Sequence, residues 1–295
     1  MEYVTHGKID KSKWNQCITQ SFSKLPYAYS WYLDLVSPNW DALINNNYEE
    51  IMPLTTRRKF GISYICQPLL SPQLGVFSTV HNDKFCVNHF IEAIPKKFKI
   101  IDIAINSKNY ITNEIRVNQI IECDSQVLRL VDDYKSIYNR YKESNKRNIR
   151  KFGKQEFVCD ILSSTYLDFY KNKIDKVLKE GQWMGKQDRR IYFNVLKQFH
   201  ESGILKILEG FDVKQNVVGG ICCFYIDDRV FIQTFNHLMG RHSGLIFFLI
   251  DYLIKKHSGQ KIQLDFMGSS LPGVKYRNIG FGSQEEKYSL IRINR

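Results

Sequence analysis

The stretch LDFMGSSLPGVKYR, residues 264–277, brings together an acid (Asp265), two hydroxyls (Ser269 and Ser270), a phenol (Tyr276) and a guanidinium (Arg277). A short apolar strand, KIQLDF, ends on the acid, and a Gly-Ser-Ser turn follows. An open α/β sheet places its ligands outside strand ends of this kind. A carboxylate there can orient an amine or draw off its proton. It can equally hold the following turn by accepting from backbone amides near Gly268. Tyr276 is a phenol that can pass a proton, with packing as the structural alternative. Arg277 suits a carboxylate or phosphate, which its planar fork of donors matches. Ser269 and Ser270 read as turn formers, because no histidine stands near them to activate a hydroxyl.

Other residues of the chain bear on the same chemistry. The loop NHLMGRHSG precedes the apolar run GLIFFLIDYLI, residues 244–254. A helix starting there would offer unpaired backbone N–H groups and the positive end of its dipole to an anion, with Arg241, His242, Ser243 and Gly244 at its mouth. His242 is a candidate base, as is His237. A second cationic region lies at residues 132–155, where eight lysines and arginines stand against three acids, giving +5 of the chain's +12. Arg147, Arg150 and Lys151 share one face at helical spacing, and Arg57 and Arg58 supply cations in the first half. Phosphorylated partners or a solvated basic surface both account for this excess.

The elements that must position these groups follow from periodicity. Residues 14–36 read as a helical region, and Asn45-Asn46-Asn47 and Lys59-Phe60-Gly61 read as turns between strands. NDKFCVNHFIEAI, residues 82–94, predicts a helix closed by Pro95. FKIIDIAIN and NEIRVNQIIEC predict strands. Residues 131–155 predict one basic helix begun by Asp132 and Asp133 and ended near Gly153. The second half gives two helices, at 164–179 and 188–203, and then three strands in a meander with a tight turn at Asp227-Asp228. A helix from 244, the strand at 261–266, a helix and a last strand complete it. That order is not a doubly wound nucleotide fold, which would alternate strand and helix throughout.

Length allows two domains of ordinary size. The seven cysteines include no Cys-x-x-Cys pair, and with no secretory leader in MEYVTHGKID they read as reduced thiols. That opening also points to the cytoplasm. The longest apolar run is interrupted by Asp251 and is too short to span a bilayer. No His, Cys or acid spacing fits a metal site, so none is expected.

The order of elements resembles the GCN5-related N-acetyltransferase superfamily. RHSGLI is similar to its pyrophosphate-loop motif, Gln/Arg-x-x-Gly-x-Gly/Ala: Arg241 and Gly244 match, and Ile246 replaces the second small residue. The FemAB-like branch, built of two such domains in tandem, is a closer likeness. Its Asp-Phe-x-Gly-Ser signature is met by Asp265, Phe266, Gly268 and Ser269, and its later part by Tyr276, Arg277 and Gly280, with Lys275 and Ile279 in place of aromatics. YKESNKRNIRKF resembles the segment joining the domains in many relatives, and MPLTTRRKFGISYICQPLLSPQLGVF resembles the first half of members of the branch. The likeness spans nearly the whole chain, without the coiled-coil arm of the cell-wall peptidyltransferases.

The resemblance implies an α+β fold of two acetyltransferase-type domains, each a mixed, mostly antiparallel sheet flanked by helices. They would occupy residues 1–131 and 156–295, joined by a basic linker helix at 132–155 and facing a shared cleft. It implies an N-acyltransferase that passes an acyl group from a thioester, acyl-CoA, to an amine by direct attack. The donor would lie at Gln233, Thr234, Phe235 and Asn236, whose backbone donors would meet the oxyanion, and at Arg241–Gly244. Asp265, Tyr276 and Arg277 would serve the chemistry, and Arg57, Arg147, Arg150, Lys151 and Ser269 the acceptor or its phosphates. The alternatives are a tRNA-dependent aminoacyl- or peptidyltransferase, with tRNA on the basic helix, and a non-catalytic binding module, which Ile246 would favour by crowding the donor loop.

Overall fold

The computed structural model describes residues 1–80, 83–153, 158–162, 185–211, 217–234, 244–268 and 272–295. The chain divides into two compact units, Met1–Asp124 with Glu286–Arg295, and Ser125–Glu285. Both are mixed α/β with mostly antiparallel sheets. The segment expected as a linker, 132–155, falls in the second unit, and the last strand returns to the first.

In the first unit the strands are β1 (Glu2–Val4), β2 (Asp41–Asn45), β3 (Glu50–Leu54), β4 (Thr56–Lys59), β5 (Ile62–Cys66), β6 (Phe77–Ser78), β7 (Phe85–Cys86), β8 (Ile100–Ile105) and β9 (Asn109–Tyr110). The helices are α1 (Lys11–Gln20), α2 (Ser30–Val36) and α3 (Asn88–Ala93). One sheet has the order β1-β2-β3-β6, all antiparallel. In another, β8 lies between β5, parallel to it, and β16 (Gln284–Asn294), antiparallel to it, while β4 is the edge beyond β5. Asp10 begins α1 by accepting from the amides of Ser12 and Lys13, a cap that satisfies two otherwise unpaired donors. The helix expected over 82–94 is shorter than its pattern. Phe85 and Cys86 are extended and pair with Asn109 and Tyr110, so only Asn88–Ala93 winds.

The second unit begins in β10 (Gln119–Arg129), which crosses the boundary, and continues through α4 (Tyr134–Asn139), α5 (Glu143–Gly153), β11 (Val158–Leu162), α6 (Lys186–Glu201), β12 (Leu205–Phe211), β13 (Val217–Ile226), β14 (Arg229–Thr234), α7 (Leu245–His257), β15 (Gln263–Asp265) and α8 (Pro272–Ile279). Its sheet order is β11-β12-β13-β14-β15-β10, antiparallel except for the β14–β15 pair. The expected meander and its two-residue turn at Asp227-Asp228 are present, with Ile226 opposite Arg229. Alternation along its strands sends Leu208, Ile221, Cys223, Val230 and Ile232 into a core with Leu245, Ile246, Leu249 and Leu253 of α7. The other face meets α6, where Phe199 packs edge-on to Phe224 and the Tyr192 hydroxyl donates to Gln233 Oε1 at 2.8 Å. Gly210 permits the α7 approach, because a Cβ there would stand 2.6 Å from Leu245 Cδ1.

The single helix expected over 131–155 is two. Asp133 caps α4 by accepting from the Ser136 amide, as its place at the start foretold. The chain then breaks at Tyr141 and Lys142, and the Lys142 amide donates to the Gly280 carbonyl at 2.8 Å. The break lets two tyrosines reach one buried acid of α7. Tyr134 and Tyr141 both donate to the Asp251 carboxylate, at 3.0–3.1 Å. The helix expected at 164–179 lies outside the described residues.

Candidate functional site

Asp265 closes β15 between β14 and β10 and is 2% exposed. Its carboxylate is fully engaged within the unit. One oxygen accepts from the Ser125 hydroxyl at 3.0 Å and from the Met267 amide at 2.7 Å, and the other accepts from Arg229 Nη1 at 2.9 Å. Arg229 stands at the start of β14, parallel to β15, and is itself largely buried. The Met267 bond is the turn-holding contact considered from sequence, and it precedes two left-handed residues, Met267 (φ 57°) and Gly268 (φ 69°).

A buried amide network follows. The Phe266 amide donates to the Gln126 carbonyl, and Gln126 Oε1 accepts from Asn278 Nδ2 at 3.0 Å. Asn278 Oδ1 in turn accepts from Nε and Nη2 of Arg277, at 3.1 and 2.9 Å. Gln126 and Asn278 are wholly buried, and Arg277 is 6% exposed. Asn145 of α5 donates to the Arg277 carbonyl, and the Ser283 hydroxyl donates to the carbonyl of Asn278. The C-terminal end of α8 is therefore held by side chains from elsewhere in the unit.

Arg277 differs from the other buried charge of this corner. No carboxylate meets it among the described residues, and burial alone pulls its guanidinium down to about 10, so it remains a cation at neutral pH. Its polar partner is one neutral amide oxygen. A desolvated cation without an anion is costly unless something supplies one. Two further buried polar atoms of the unit, Ser144 Oγ and Asn145 Oδ1, also lack a hydrogen-bond partner.

Tyr276, next in sequence, takes the opposite environment. It is 55% exposed, with the Lys142 ammonium 4.6 Å from its ring centroid. Of the basic face, Arg147 and Lys151 are exposed on α5, and Arg150 pairs with Glu143. Arg57 belongs to the first unit, on edge strand β4 opposite Tyr64.

The expected donor loop is only partly described. Gln233 is bound to Tyr192, and Thr234 ends β14 opposite Ile221. Phe235, Asn236, Arg241, His242, Ser243 and Ser269 lie outside the described residues. Gly244 precedes the first turn of α7, and a Cβ there would make ordinary contacts with Phe152. Ile246, expected to crowd a donor, is instead packed in the apolar core. It points its bulk into the sheet, so its size alone does not argue for a lost donor site.

The QPLLSPQLGVF stretch, similar to the acceptor side of relatives, is tied down within the first unit. Gln67 Oε1 accepts from the Ala104 amide, Gln73 Oε1 from the Ser107 amide, and Asn106 Nδ2 donates to the carbonyls of Leu74 and Val76. Gly75 needs its φ of 85° and its missing Cβ, which would lie 2.9 Å from Ile105 Cα.

Sequence reasoning missed Arg229, Ser125, Gln126, Asn145 and Asn278. Their only signal is long-range pairing, since Ser125 and Asp265 are 140 positions apart. Among the described residues no cluster of three or more His, Cys, Asp or Glu could hold a metal ion, and no helix is long and apolar enough to cross a membrane.

No protein-family model matches the sequence, and no curated protein does. Solved structures match in fold. FemX aligns over 99% of this chain and 97% of its own, at 10% identity and a TM-score of 0.59. L-PGS from Bacillus licheniformis aligns over 96% and 91%, at 8% identity and 0.51. The C-terminal domain of a putative lysylphosphatidylglycerol synthetase from Agrobacterium fabrum aligns over 97% and 93%, at 8% identity and 0.51. The fold is thus the one seen in FemX and L-PGS.

Proposed function

We propose that this protein, built on the fold it shares with FemX and L-PGS, transfers an acyl or aminoacyl group from an activated donor to an amine, and that Arg277 binds the anionic part of one substrate. The observation that carries the reading is the buried Arg277 cation with no acid against it among the described residues. A carboxylate or phosphate would supply the missing charge and accept in the bidentate geometry guanidinium favours.

In the step itself the amine nitrogen attacks the donor carbonyl carbon and the C–N bond forms. The C–S bond of a thioester, or the C–O bond to a tRNA 3′ end, then breaks. The leaving sulfur or oxygen takes up a proton, and the amine gives one up. Tyr276, exposed beside Lys142, is placed on this reading as the proton donor to the leaving group. Asp265 acts as the positioning residue of the corner, because its oxygens are already taken by Ser125, Met267 and Arg229. The N-terminal end of α7, at Gly244, would receive the donor's phosphates, and Gln233–Asn236 would line its carbonyl.

An acyl-CoA donor is the first form of this reading. An aminoacyl-tRNA donor is the second, favoured by the exposed Arg147 and Lys151 on α5. Thermal-shift titrations with coenzyme A, acetyl-coenzyme A and bulk tRNA, at low and moderate salt, separate them. Stabilisation by the coenzymes supports the thioester form. Stabilisation by tRNA alone, fading with salt, supports the second. No shift with any of them rejects both and leaves a binding module on the same fold.

A further inference from the structure

The hairpin of β4 and β5 carries a feature that the transfer reading does not use. Lys59 pairs with Ile62, so the loop between the strands is the two residues Phe60 and Gly61. Both are left-handed, with φ of 50° and 80°, which suits the twist of a two-residue hairpin. Asparagine and glycine fill such positions readily, whereas an aromatic residue is strained there. Phe60 is nevertheless 92% exposed and Ile62, directly beyond the turn, is 53% exposed. Neither contributes apolar burial to the fold in proportion to its size.

The charge around them is of one sign. Arg57, Arg58 and Lys59 precede the tip, and no acid occurs anywhere from residue 51 to residue 82. Pairing places Arg57, Lys59, Ile62 and Tyr64 on one face of the ribbon and Arg58 on the other, so cations flank the apolar tip from both sides. The Lys59 ammonium lies 5.4 Å from the Phe60 ring centroid and leaves the ring open to solvent.

We propose that this tip is a membrane-surface anchor. Phe60 and Ile62 enter the headgroup–acyl boundary of an anionic bilayer, and Arg58 and Lys59 sit at the level of the lipid phosphates. A narrow tip with two apolar side chains offers far less than the roughly 800 Å² per partner of a stable protein interface. A bilayer accommodates such a tip without a complementary surface. Nucleic acid would use the cations and the ring of Phe60, but it gives the aliphatic Ile62 nothing to enter. Binding through one such tip is weak, reversible and salt-sensitive. The proposal stands independently of acyl transfer.

The test is co-sedimentation of the full chain with phosphatidylcholine vesicles, with and without about one-third phosphatidylglycerol, at low and moderate salt. Binding is expected to the anionic vesicles only. Phe60→Ser should lower the partition coefficient about tenfold or more, and Lys59→Gln about fivefold. Both variants should keep the wild-type melting temperature, because the side chains they change are exposed. In Phe60→Trp, lipids spin-labelled near the headgroup should quench the new fluorescence. Failure to bind anionic vesicles overturns the proposal. Equal binding by wild type and Phe60→Ser also overturns it, since charge alone would then be acting. Binding of bulk tRNA but not of vesicles, lost in Phe60→Ser, would reassign the tip to nucleic acid.

Discussion

The strand end that carries Asp265 and the helix that carries Arg277 lie in one corner of the second unit, yet they treat a buried charge in opposite ways. Asp265 has a cation, a hydroxyl and an amide on its two oxygens. Arg277 has one neutral amide oxygen. A pair that closes on itself is part of the scaffold, and a charge left open is a demand for a partner from outside. Asp251 supplies an intermediate case, since two neutral tyrosine hydroxyls solvate it. The difference separates residues of the same apparent promise into those that hold the corner and those that the proposed function assigns to a ligand.

The largest effect should come from breaking the closed pair. Asp265→Ala leaves Arg229 buried without its anion, and denaturant melts should show a loss of about 3–5 kcal/mol. A variant as stable as wild type would remove Asp265 from the scaffold and return it to the chemistry. Tyr141→Phe, which takes one donor from Asp251, should cost about 1–3 kcal/mol in the same melts. Arg277→Met tests the open side. It removes a desolvated cation and its two hydrogen bonds to a single amide oxygen, so stability should stay within about 1–2 kcal/mol of wild type. Any thermal shift given by coenzyme A or tRNA should vanish in it. A large stability loss with the ligand response intact would mean that Arg277 is structural after all.

Asp251 gives the pH-dependent form of the comparison. Burial raises its carboxyl above the ordinary value, although both tyrosines oppose the shift. The folded state therefore favours the protonated acid. That contribution is fully present below the ordinary carboxylate range and is lost as pH rises through the raised value. Asp251→Asn should flatten this part of the stability–pH curve, measured by urea melts between pH 4 and 7. A smaller effect of opposite sign belongs to His257, held between Tyr225 and Gln260, whose burial lowers its pKa. Its contribution is present above the ordinary imidazole value of about 6.5 and is lost on acidification below it. His257→Gln should reduce the acid sensitivity of the melting temperature in that window.

Much of the scaffold was legible where one local pattern decides it. The meander, its Asp227-Asp228 turn and the apolar α7 announce themselves through alternation and length, and Asp133 marks a helix start. The break between α4 and α5 was not legible, because neither glycine nor proline marks it. It follows from Tyr141 reaching Asp251 and from the bond of Lys142 to Gly280. Type and spacing single out candidate site residues, but they say nothing of the environments those residues occupy. KYRN gives no local sign of which side chain is buried, and only the contacts of the segment with Asn145 and Gln126 go with Tyr276 facing water while Arg277 does not. Asp265 likewise gave no local sign of Arg229, whose approach depends on the parallel pairing of β14 with β15.

The return of β16 to the first unit bears on how the chain is made. Strand β8, with the sequence IIDIAI, meets Ser289–Asn294 along its whole length. During synthesis that edge must wait for about 180 further residues, the whole of the second unit among them, to leave the ribosome. At about 5–20 residues per second the wait is on the order of 10–30 s. An isoleucine-rich edge without its neighbour is the kind of surface that recruits other chains. The nascent protein therefore passes through an interval in which its first half is sticky, and holdase chaperones or slower initiation should raise its soluble yield more than lower temperature after synthesis.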